Sequence, residues 1–227
     1  MRMFLAMLVL WPVWALADTD DFILGLYRLE RCGFMSSSET ASAARIDICR
    51  DMLEEVDGIF RALAEEEQPE LIDRLTDGWD ALRDLYDQTL DDASRFRDHY
   101  TVDEVRLNRT ALTDILRDRL PIPPNPMALA VLMERASTEY IWRAEAAMAG
   151  GLSATEILDI ESMVMEMDKQ FVELRKRYPQ DISLRHAYSR YQFIRGSMLN
   201  YNTDTVPYLV DRYATSITAA LSKVVRK

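Results

Sequence analysis

The chain has 227 residues, 48% of them hydrophobic, and carries a formal net charge of -11. That length can bury one large core or two modest ones. The 38 acidic side chains outnumber 27 scattered basic ones, which disfavours nucleic acid and anionic membrane surfaces as partners.

Residues 1–17 read as a segment apart from the fold. Arg2 gives a short positive start, Met3 to Trp14 an apolar stretch broken by Pro12, and Ala15-Leu16-Ala17 a small-x-small cleavage site. This is the anatomy of a secretory signal peptide, with Asp18 as the first mature residue. The stretch is shorter than the ~20 residues a spanning helix needs. The expected mature product has no membrane span and is periplasmic.

Beyond residue 17, Gly and Pro are scarce, and apolar residues recur at spacings of three and four. The expected fold class is therefore all-α, built as up-and-down helical bundles. A first copy, residues 18–120, holds helices over about 20–35, 39–66, 69–97 and 101–119, from the apolar period and the capping signals. Ser36 to Ser38 offer N-caps to the second of these, and Pro69 falls in the first turn of the third. Cys32 and Cys49 form an even pair in an oxidising compartment and read as one disulfide, since neither Cys-x-x-Cys spacing nor a nearby His supports a redox or metal role.

Pro121-Ile-Pro-Pro-Asn-Pro126 cannot continue a helix and reads as a stiff linker. A second copy, residues 126–227, follows with helices over about 126–149, 153–177, 180–199 and 204–225, by the same signals. Gly150-Gly151 stops its first helix, Ser153 with Glu156 makes a capping box for the second, and Asn202 to Asp204 breaks the chain before the last. The duplication rests on an ordered series. Asp57, Phe60 and Leu63 recur as Asp168, Phe171 and Leu174, and Thr101-Val102 recurs as Thr205-Val206.

Motifs for catalysis are missing. His99 and His186 sit in no Glu-x-x-His pair, and no phosphate loop, nucleophile elbow or haem-attachment motif occurs. Acidic runs such as Asp51–Glu55 read as solvated helix faces rather than metal sites, and Met163, Met165 and Met167 as packing residues. No enzyme activity, cofactor or metal is expected. The second copy concentrates aromatics and arginines: Tyr140, Trp142 and Arg143 within a turn and a half, then Tyr191 and Arg212 on later helices. Such residues could line a small anion site between helices, and they could equally be core rings with polar tips at the rim.

The segment Asn200-Tyr-Asn202-Thr-Asp-Thr205-Val-Pro207-Tyr-Leu-Val210-Asp-Arg212-Tyr213 resembles the closing segment of type IV pili methyl-accepting chemotaxis transducer N-terminal (PilJ-type) domains. Asp57 to Leu63 followed by Trp79 is similar to the Phe-x-x-Leu then Trp layout of the same family. Where that family carries a Gly-x-x-Arg-Met-Leu-Ser-Gln-Arg-like run, this chain has Glu134-Arg135-Ala-Ser137-Thr-Glu139-Tyr140, so the resemblance singles out Arg135. It implies a sensory module at the outer face of the membrane, here without the transmembrane and signalling helices of such receptors.

The sequence is thus read as a non-catalytic exported module that binds a small ligand, with an anion as the candidate, or a partner sensor or envelope protein. The ligand-binding residues expected are Arg135, Tyr140, Arg143, Tyr191 and Arg212. The alternative is a structural or assembly protein of the cell envelope acting through a docking surface.

Overall fold

The computed structural model describes residues 13–36, 43–91, 98–149, 159–201 and 205–225. They form eight helices packed up and down: α1 (Val13–Ser36), α2 (Ala43–Glu66), α3 (Pro69–Asp91), α4 (His99–Leu116), α5 (Pro126–Ala149), α6 (Ile160–Arg177), α7 (Ile182–Leu199) and α8 (Pro207–Val225). A 3-10 turn, Arg117–Arg119, follows α4. Among the described residues there is no strand, and no helix is long and apolar enough to cross a membrane.

Local chemistry sets most of the starts. Pro69, Pro126 and Pro207 open α3, α5 and α8, where a missing N–H costs nothing. Asp98, Asp159 and Asp181 cap α4, α6 and α7, each accepting a first-turn backbone N–H. The described part of α6 begins at that Asp159 cap; the expected stops and caps at 37–39, 150–156 and 202–204 lie outside the described residues, as do residues 1–12 of the expected leader. Ser36, expected as a cap for α2, instead donates back to the Gly33 carbonyl at 2.7 Å, within α1.

The outer helices bury narrow stripes. On α2 these are Cys49, Leu53, Val56, Phe60 and Leu63, spaced four and three. Helices α1 and α5 differ: they are buried on almost every side and pack on each other at the centre. Around them α2 and α4 flank α1, while α6 and α8 flank α5, so one hydrophobic core runs through all eight helices. Gly25 lets α1 close on α2, because a Cβ there would meet Val56 Cγ2 at 2.7 Å. The Cys32–Cys49 disulfide ties the same two helices, with the Cα atoms 5.7 Å apart.

The recurring residues occupy recurring contacts. Trp79 Nε1 donates to Asp57 Oδ1 at 3.1 Å, and Arg83 lies 3.6 Å from the same oxygen. Asp168 accepts from the Tyr191 hydroxyl at 2.9 Å and from Arg195 Nη2 at 2.6 Å. Phe60 packs on Trp79, and Phe171 stacks on Tyr191, with centroids 5.9 and 4.9 Å apart. The same helix pair, α2 with α3 and α6 with α7, is therefore clamped by an acid, an aromatic and an arginine at matching positions.

Candidate functional site

A line of charge crosses the centre of the molecule. Glu134 on α5 is fully buried and accepts from Arg28 Nε (2.9 Å), from the Thr218 hydroxyl (2.8 Å) and from Arg31 Nη1. Arg31 on α1, 2% exposed, also donates to Ser137 (2.9 Å), to Thr215 (2.9 Å) and through Nε to Asp211 Oδ1 (2.8 Å). Burial alone would raise the Glu134 carboxyl, but the adjacent Arg31 and Arg28 hold it below its ordinary value. Burial likewise opposes the Arg31 charge, and Glu134 with Asp211 more than restores it.

The line surfaces at Asp211. Its Oδ2 accepts from Arg45 Nη1 of α2 at 3.2 Å, so both carboxylate oxygens are engaged by arginines. Here α2 and α8 part to leave an open groove of about 360 Å³, lined by Ala44, Arg45 and Ile48 on one side and Tyr208, Asp211, Arg212 and Thr215 on the other. Arg212 is exposed and has no acidic partner among the described residues. Among the described residues, Arg28, Arg31, Arg45 and Arg212 thus face two carboxylates, Glu134 and Asp211, a local positive excess on an acidic chain. Elsewhere the chain is the opposite: Asp73, Asp77, Asp80, Asp84, Asp87 and Asp91 make an exposed stripe along α3, as a solvated helix face does.

The five expected binding residues do not converge. Arg212 lines the groove and Arg135 is exposed on α5. Tyr140 is buried, with its hydroxyl accepting the Val206 N–H at 2.8 Å, which anchors the start of α8. Tyr191 belongs to the α6–α7 clamp; burial, then its bond to Asp168, push its phenol well above the ordinary value. Arg143, 8% exposed, is held by Glu139 Oε1 at 3.1 Å and lies over the Tyr201 ring. Glu139 also accepts from Arg106 Nη2 at 2.9 Å, and Arg106 stacks on Trp142 at 4.0 Å. The Tyr140–Arg143 stretch therefore makes core and buried ion pairs rather than an open cavity.

Arg45, Ile48 and Asp211 line the groove without having been expected there. Tyr208 and Asp211 both precede Arg212 on α8. Arg45 and Ile48 come from the other copy, more than 160 residues away in sequence from Asp211. Among the described residues no group of three or more His, Cys, Asp or Glu is placed to hold a metal. Within the groove the Thr215 hydroxyl accepts from Arg31 and donates to the Asp211 carbonyl, so it has no base at its disposal. Compared with protein-family models, with curated proteins and with solved structures, the chain matches none.

Proposed function

We propose that this protein is a non-catalytic, exported, periplasmic helical module that binds a small organic anion in the groove between α2 and α8. The observation that carries the reading is Arg212, an exposed guanidinium with no acidic partner among the described residues, in a groove whose carboxylate is already engaged on both oxygens by Arg31 and Arg45. A guanidinium presents paired donors that match a carboxylate, and the groove is of a size that suits a small ligand. The leader-like start and the disulfide support the compartment, since structural disulfides persist where the surroundings oxidise. The resemblance of 200–213 to sensory modules supports a sensing role, because Tyr208, Asp211 and Arg212 of that stretch line the groove.

The test is a thermal-shift screen of small organic acids on the wild type and on Arg212→Glu. A ligand at a hundred times its Kd adds about 2.7 kcal/mol of stability, a readable rise in Tm. The rise is expected to vanish in Arg212→Glu, whose unliganded Tm stays near wild type because the side chain is exposed. Undiminished shifts in that variant would remove the groove as the site.

A further inference from the structure

We infer that the groove selects amphipathic monocarboxylates, an aromatic or aliphatic acid, over inorganic oxyanions and over dicarboxylates. This rests on reading the groove as the binding site. The count of free cations decides the charge of the ligand. Arg45 is committed to Asp211 at 3.2 Å, and Arg31 reaches the same carboxylate from the core at 2.8 Å. Arg212 alone has no acidic partner among the described residues, so the groove offers one guanidinium for one carboxylate. A second carboxylate on the ligand would lie near Asp211 or reach into solvent. Near Asp211 it meets a like charge, and in solvent it gains nothing.

The apolar walls decide the rest of the ligand. Ile48 is 49% exposed on the α2 wall beside Arg45, and Tyr208 is 61% exposed on the α8 wall beside Arg212. Large side chains left this open inside a concave surface are where a hydrocarbon body removes most area from water. An oxyanion such as nitrate would contact the arginine and leave both walls wet. Its attraction in so open a site is screened by salt, so it binds weakly. An acid with a ring or short alkyl chain satisfies Arg212 and covers Ile48 and Tyr208 together.

The experiment is calorimetric titration of the full mature chain with phenylacetate, acetate, nitrate and succinate at fixed ionic strength. Phenylacetate is expected to bind at least tenfold more tightly than the other three. Arg212→Ala is expected to remove its binding. Ile48→Ser is expected to cut phenylacetate affinity several-fold and to leave the weak acetate response unchanged, with circular dichroism showing an intact fold in both variants. Nitrate or succinate binding as tightly as phenylacetate, still dependent on Arg212, overturns the selectivity and leaves the groove as the site. No Arg212-dependent response to any of the four overturns both.

Discussion

Glu134 shows how much a single side chain can hold in this molecule. It lies at the centre of the helix packing, and three donors from two other helices converge on it. Removing one partner of a buried ion pair costs about 3–5 kcal/mol, because the charge left behind stays desolvated. Glu134→Ala is therefore expected to lower unfolding stability by that amount in urea titrations. The pairing also makes stability depend on acid. The folded-state carboxyl titrates below the unfolded one, so its contribution is present above the unfolded value of about 4.5 and is lost as pH falls through the folded value. Glu134→Gln should flatten the acid side of the stability–pH curve, and an unchanged slope would assign that acid sensitivity to other carboxylates. Arg143 is expected to behave alike for the same reason: charge reversal there sets a second carboxylate beside Glu139 and acts on folding rather than on ligand binding.

At the scale of elements the disulfide is the clearest single constraint. It links residues 17 apart, and closing a loop of that size is worth about 3 kcal/mol in the chain-entropy model. Cys32→Ser with Cys49→Ser is expected to lose about that much, and reductant should lower the wild-type urea midpoint to the same value. A midpoint indifferent to reductant would make the bond energetically idle. Since Cys49 stands one turn beyond Arg45, the loss should also loosen the α2 wall of the groove. The helices themselves were largely legible in the sequence. Prolines at 69, 126 and 207 and the three-four apolar spacing state the starts and faces outright. The capping box expected at Ser153 and Glu156 lies outside the described residues, and within them Asp159 caps α6. The buried charges were not legible. Arg106 and Arg109 sit on the inward face of α4 with Val102, Val105 and Leu112, a visible break in an apolar stripe, but their partners Glu139 and Glu30 lie 33 and 79 residues away. Periodicity shows which face turns inward and says nothing about which distant helix meets it. The groove is hidden on the same ground: Arg212 stood out as an arginine among aromatics, whereas Arg45 joins it only once the fold brings Arg45 of α2 to Asp211 of α8.

For the whole molecule, the question is whether the two copies are separable units. Asp57, Phe60 and Leu63 recur as Asp168, Phe171 and Leu174, and the acid–aromatic–arginine clamps recur with them, yet the central helices break the symmetry. Leu29-Glu30-Arg31 on α1 is echoed by Met133-Glu134-Arg135 on α5, with both glutamates fully buried. Glu30 finds Arg109 within its own copy at 2.6 Å, whereas Glu134 depends on Arg28 and Arg31 of the other. The Thr138 hydroxyl of α5 also donates to the Tyr27 carbonyl of α1 at 3.1 Å, so the α1–α5 contact is polar as well as apolar. A fragment spanning 121–227 would keep four helices and lose both arginines from Glu134. It would expose the face of α5 that now packs on α1. Separate domains can fold alone because each owns a complete core; this fragment owns an incomplete one with an orphaned charge at its centre. The full mature chain is expected to unfold in one transition, with calorimetric and van't Hoff enthalpies equal. The fragment is expected to keep helical circular dichroism without a cooperative melt. A sharp melt of the fragment near the full chain's Tm would show instead that the second copy is a domain in its own right, and that the buried line from Glu134 to Asp211 is only the interface between two.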